Sequence, residues 1–136
     1  MRYTASKFLA PENMKIETTW NAAKGFWEIH LSGEIFYEAC LPKLTELLEH
    51  VPNPGTERVL INIHDVCFWL SNMDMYYLVR HCFDKQHIPF RKLAVINGSP
   101  DTHEKLQFLE LCARNRGMDV FSAPDKASAE AWLLAY

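Results

Sequence analysis

The densest set of side chains able to bind or react runs from His64 through Asp65, Val66, Cys67, Phe68, Trp69 and Leu70 to Ser71, and on into the residues behind it. Phe68, Trp69, Tyr76 and Tyr77, four of the chain's seventeen aromatics, fall within ten residues, with Met73 and Met75 among them. At helical spacing Met75, Leu78, Val79, Cys82 and Phe83 make one apolar stripe, and Met73, Tyr76, Tyr77 and Arg80 make a second row on an adjoining face. Three readings follow. The wide arc is core, buried between a sheet and a neighbouring helix. It is a surface for a partner protein or a second copy, because aromatic, Met and Arg side chains are enriched at interface cores. Or it lines a pocket for a small hydrophobic ligand or lipid. Cys67, Phe68, Trp69, Leu70, Met73, Tyr76 and Tyr77 are the residues a surface or pocket would use.

Other chemistry has weaker support. Ser71 followed by Asp74 at the third position fits a helix N-cap. His81, Cys82, Asp84 and His87 cluster just downstream, but neighbours on a helix point about 100° apart, so His81 and Cys82 cannot readily share a metal. His81 with Asp84, or His64 with Cys67, could; spacing fixes no third ligand, and no metal or cofactor is expected. A Cys-dependent enzyme would start from Cys67 and His64, yet no signature surrounds the thiol and non-enzymatic action is expected. Asn97-Gly-Ser-Pro100 has one glycine and no Lys, so it is a turn and helix cap rather than a phosphate loop. Arg114 and Arg116 sit where they complement a helix C-terminus.

The rest of the chain must position these residues. Its 136 residues suit one domain, expected over residues 14–136 behind an N-terminal extension at 1–13. A net charge of -3 offers no basic field for nucleic acid, and no apolar run is long enough for a membrane span or a signal peptide. Four singly placed cysteines fit reduced thiols in a cytoplasm. Alternation predicts strands at Met14–Trp20 and Gly25–Leu31, paired as a hairpin. A helix follows over Ala39–His50, with Pro42 in its first turn or kinking it. Strands at Val59–Ile63, Lys92–Ile96 and Val120–Phe121 then alternate with helices starting at Ser71, at Ser99 with Pro100, and at Pro124. The order ββαβαβαβα implies an α/β fold, a mixed but mostly parallel five-stranded sheet with helices on both faces. Sites on such sheets lie at the strand carboxyl ends, here 33–38, 64–71 and 97–101.

Those three loops carry a resemblance. Leu31-Ser-Gly-Glu-Ile35, Leu60-Ile-Asn-Ile-His-Asp-Val66 with Cys67-Phe-Trp-Leu-Ser71, and Ile96-Asn-Gly-Ser-Pro100 resemble, in order and spacing, the STAS domains typified by SpoIIAA-like anti-sigma factor antagonists. The resemblance spans Met14 to Leu134 and implies the SpoIIAA-like fold and a regulatory, protein-binding role in bacterial signalling. The partner it implies is a kinase or regulatory protein, and a phosphorylation site falls at Ser71 or Asn72. The chain departs from the pattern at Phe36, where the family has an acidic residue, at Leu70 in place of Asp, and at Met73 in place of glycine. Docking through residues 64–77, gated by phosphorylation at Ser71, is the expected mechanism.

Overall fold

The computed structural model describes residues 14–49, 58–83, 92–97 and 100–135, and it contains the element order expected from the sequence. Strands β1 (Lys15–Asn21) and β2 (Phe26–Ile35) precede helix α1 (Tyr37–Glu49); β3 (Arg58–Phe68), α2 (Asn72–Phe83), β4 (Lys92–Ile96), α3 (Pro100–Arg114), β5 (Asp119–Ala123) and α4 (Lys126–Leu134) follow. The β1–β2 hairpin turns where Asn21 accepts from the Lys24 amide through its side chain and from the Gly25 amide through its carbonyl, at 3.0 and 2.7 Å. Gly25 has φ +79°, a conformation a side chain would strain. Helix α1 begins two residues earlier than the spacing implies, so Pro42 lies beyond its first turn. The last helix starts at Lys126 rather than at Pro124, because Asp125 caps it: its Oδ1 accepts from the Ser128 amide at 2.8 Å, which holds the carboxyl below the usual range. Ser99 lies outside the described residues.

The five strands stand in sequence order, β1 antiparallel to β2 and the others parallel. Right-handed crossovers that each step one strand in the same direction must place every crossover helix on one face. That face is the main core, where Ile29, Leu31, Ile35, Val59, Ile63, Leu93, Val95 and Val120 meet Cys40 of α1, Met75, Leu78 and Val79 of α2, and Leu106 and Ala113 of α3. Among the described residues helix α4 covers the opposite face, with Ala129 and Leu133 on Phe26, Leu60, Ala94, Ile96 and Ala123. Helices on both faces are present, divided three to one among the described residues.

Two features position the residues singled out above. First, β3 runs to Phe68, so most of the segment expected to be a loop at 64–71 is strand. His30 faces Asn62 but Ser32 faces Asp65, so Leu31 lies opposite both Ile63 and His64, a β-bulge with the extra residue on β3. The Asn62 side chain accepts from the His64 amide at 2.8 Å and satisfies a donor the bulge would strand. Beyond the bulge, pairing resumes and brings Ile35 level with Phe68. Second, α2 has a reciprocal capping box: Ser71 Oγ accepts from the Asp74 amide at 3.1 Å, and Asp74 Oδ2 accepts from the Ser71 amide at 2.9 Å. Leu70 and Met75, the positions that form a hydrophobic staple around such a cap, are both buried in the main core. Leu70, expected on the surface, is therefore an anchor, 2% exposed.

The β5 edge is closed by α3. Val120 and Ser122 turn their peptide groups outward, since Ala123 directs its carbonyl inward to the Asn97 amide. The outward Ser122 N–H donates to Glu110 Oε2 at 2.8 Å and the Val120 carbonyl takes a long bond from Arg114 Nη2 at 3.5 Å, while Arg114 pairs with Glu110 at 3.2 Å. This i,i+4 pair supplies the donor and acceptor that one residue of a sixth strand would set opposite Phe121.

Leu70→Ala should lower unfolding stability by about 3 kcal/mol and Ser71→Ala by about 1 kcal/mol, read from urea denaturation. A change within error for Leu70→Ala would contradict the staple. Glu110→Ala should speed amide exchange at Ser122 and produce concentration-dependent association in sedimentation velocity. Glu110→Gln, which keeps an acceptor, should stay closer to the parent on both readouts.

Candidate functional site

At the carboxyl ends of β2 and β3 the chain builds a fixed aromatic platform. Because Ile35 is level with Phe68, the next amide, that of Trp69, donates to the Ile35 carbonyl at 2.9 Å. The indole lies parallel to the Phe36 ring, with centroids 6.0 Å apart and planes 6° apart, an offset stack. Its Nε1–H donates to Glu34 Oε1 at 3.0 Å. One backbone and two side-chain contacts thus hold a residue that is still 58% exposed. The following carbonyl, that of Leu70, accepts from Lys105 Nζ, which ties the segment to α3.

Helix α2 continues this surface. Met75, Leu78 and Val79 face the core, whereas Met73 and Tyr77, one turn apart, are 56% and 44% exposed. The second row expected from helical spacing is therefore a solvent-facing row, and the reading of it as core is corrected for these two residues. Tyr76 is half-buried, edge-on to Tyr77 at 5.6 Å, and carries the Arg116 guanidinium over its ring at 5.9 Å. Arg116 thus has a tertiary role that helix-end electrostatics does not convey. The backbone of Phe68 ends β3; its side chain, like those of Cys82 and Phe83, lies outside the described residues.

The remaining nominated residues are dispersed. Cys67 is exposed at the register position opposite Glu34, and no hydrogen bond joins it to His64 among the described residues. His64 instead turns Nδ1 to Asp65. His81 is exposed on α2, and Asp84 and His87 lie outside the described residues. Among the described residues no three His, Cys, Asp or Glu side chains converge as metal ligands. At the end of β4, Asn97 is buried; its Nδ2 donates to Ser122 Oγ at 2.9 Å, and its carbonyl accepts from Thr102 Oγ1 at 3.3 Å. These bonds give Asn97 a structural role. Burial pushes the Cys112 thiol up, partly offset by Arg116.

One cluster escaped the sequence reading altogether. Asp65 sits between two imidazoles, His64 Nδ1 at 3.2 Å and His30 Nε2 at 3.0 Å, with Glu17 at 4.0 Å from the far nitrogen of His30. His30 and Glu17 are cross-strand partners, and the bulge turns His64 and Asp65 toward them. The hydrogen bond from His64, then that from His30, holds the Asp65 carboxyl below its usual range. A depressed folded value means that the stability Asp65 adds is present above the ordinary carboxylate range and lost as pH falls through the folded value. In the His30→Ala/His64→Ala double variant, acid titration of the Asp65 carboxyl by carbon NMR should return to the ordinary range; an unmoved titration would contradict the assignment.

No known protein family and no curated protein matches the chain by sequence. Solved structures do match. An anti-sigma factor antagonist from Mycobacterium paratuberculosis superposes with TM-score 0.58 at 16% identity, over 91% of this chain and 97% of that one. An uncharacterized protein with a SpoIIAA-like fold from Shewanella loihica superposes with TM-score 0.54 at 17% identity, over 89% of this chain and 94% of that one. Strand order, helix placement and this likeness over nearly the whole chain together establish that it has the SpoIIAA-like fold, the fold of the STAS domains its loops resemble.

Proposed function

We propose that the protein is a non-enzymatic regulatory module that binds a protein partner through the end of β3 and the start of α2, within residues 64–77. One observation carries this reading: Trp69, just before the cap of α2, and Met73 and Tyr77, one turn apart on it, are large apolar side chains exposed to solvent, and Trp69 is rigidly fastened while exposed. Free apolar groups at a surface gain by being covered, and a side chain already held in one rotamer loses little entropy when a partner covers it. The likeness to an anti-sigma factor antagonist agrees with a regulatory role. The contact set is Trp69, Met73, Tyr76 and Tyr77, with Leu70 holding it from below. No helix of the described residues is long and apolar enough to cross a membrane.

Ser71 is the gate in this reading. Its hydroxyl is exposed beside the contact set, and a phosphate there would meet the amides at the start of α2 while repelling the Asp74 carboxylate that caps them. Phosphorylation would therefore exchange one cap for another and place a dianion at the rim of the apolar patch.

A photo-crosslinking side chain at position 73 should trap a discrete partner in host cells, and the same group at Glu104, an exposed α3 position, should not. Trp69→Ala and Tyr77→Asp should each reduce trapping at position 73 by about tenfold or more, as expected for an aromatic hot spot, with circular dichroism unchanged. Equal trapping at both positions, or trapping indifferent to Trp69→Ala, would contradict the proposed surface.

A further inference from the structure

The platform has a polar side that apolar contact leaves unused. Glu34 is partly buried, and one carboxylate oxygen, Oε1, is engaged by the Trp69 indole N–H. Among the described residues Glu34 has no ion-pair partner. The basic groups of the same region are committed elsewhere: Lys105 donates to the Leu70 carbonyl, and Arg116 lies over Tyr76. A carboxylate drawn partly out of water, with no counter-ion among the described residues, is stabilised by a cation brought to it, the more so once a partner excludes solvent.

The geometry selects among cations. The Phe36 ring lies parallel to the indole and offset from it, the indole stays 58% exposed, and the carboxylate lies at its nitrogen edge. A planar guanidinium laid on the exposed indole gains cation–π attraction and stacking, and its N–H fork reaches sideways to a carboxylate at the ring edge. An ammonium can make one contact or the other but presents no plane and no fork. Met73, four residues on and 56% exposed, is an apolar side chain able to cover an arginine's methylene stem.

We infer that the Trp69–Phe36–Glu34 platform is an arginine-recognition site, and that the partner covering residues 69–77 inserts an arginine side chain onto Trp69 and against Glu34. This inference rests on the partner-surface reading above and names the chemistry of its occupant. The carboxylate fixes the charge of the partner group, and the exposed indole fixes its shape. The phosphate gate fits the same arrangement: a dianion at Ser71 would offer the incoming arginine a competing anion a few residues away.

The test uses the full chain labelled with nitrogen-15 and follows the Trp69 indole N–H resonance. N-acetyl-arginine amide should shift this resonance saturably, with N-acetyl-lysine amide binding about fivefold more weakly or worse. Glu34→Gln keeps a carbonyl acceptor for the indole N–H and so preserves the platform while removing its charge; it should weaken arginine amide binding about tenfold with circular dichroism unchanged. An indole signal unmoved by either amide, equal response to both, or full binding by Glu34→Gln would overturn the inference. If those results came with trapping at position 73 still abolished by Trp69→Ala, the partner surface would stand and arginine recognition alone would fall. Loss of both would remove the surface itself.

Discussion

The candidate surface depends on one register, that of β2 against β3. A single extra residue at Ile63–His64 is absorbed as a bulge, after which the two strands run level to Ile35 and Phe68. Had the pairing continued without it, Ile35 would lie opposite a different residue, and every side chain beyond His64 would exchange faces. With it, the Trp69 amide finds the Ile35 carbonyl, the indole finds Phe36 and Glu34, and the chain enters α2 with Leu70 directed into the core. The same bulge sets His64 and Asp65 beside His30, so the polar cluster and the aromatic platform are two consequences of one insertion.

The surface is also coupled to the core through a short lever. Ser71 and Asp74 close the first turn of α2, Leu70 and Met75 clamp it to the sheet, and Lys105 draws the Leu70 carbonyl toward α3. Trp69 thus stands immediately before a segment fixed by packing, capping and a charged donor at once. In the proposed reading such a site is held in its binding geometry before any partner arrives. A phosphate at Ser71, as proposed, would act on the capping box directly.

Much of this was legible in the sequence, and the limits have physical causes. Gly and Pro punctuation with alternating periods gave the element order, and the loop motifs pointed to the fold that the solved structures share. Serine at position 71 read correctly as a cap. Once it does, Leu70 and Met75 are by definition the staple positions, so the burial of Leu70 was within reach of sequence reasoning and only its apolar neighbours argued otherwise. The bulge was not within reach: polar His64 and Asp65 end the apolar run, so β3 read as stopping at Ile63, although its backbone continues for five more residues. Glu34 and His30 gained their roles from pairing across strands, which one sequence does not fix. The chain's departures from the STAS pattern are informative in retrospect, since Phe36 stacks under Trp69, Leu70 anchors the helix start and Met73 is exposed on the same surface. Together they place aromatic or apolar residues where the STAS pattern is acidic or small.

The most direct test of the central claim is a map of amide and methyl NMR shifts of the full chain on adding the partner that crosslinks at position 73. Perturbations concentrated at residues 34–36 and 69–77, with Met73 and the Trp69 indole among the largest, are the predicted result. A map centred on α4 or the β1 edge, with Trp69 unmoved, would contradict the account.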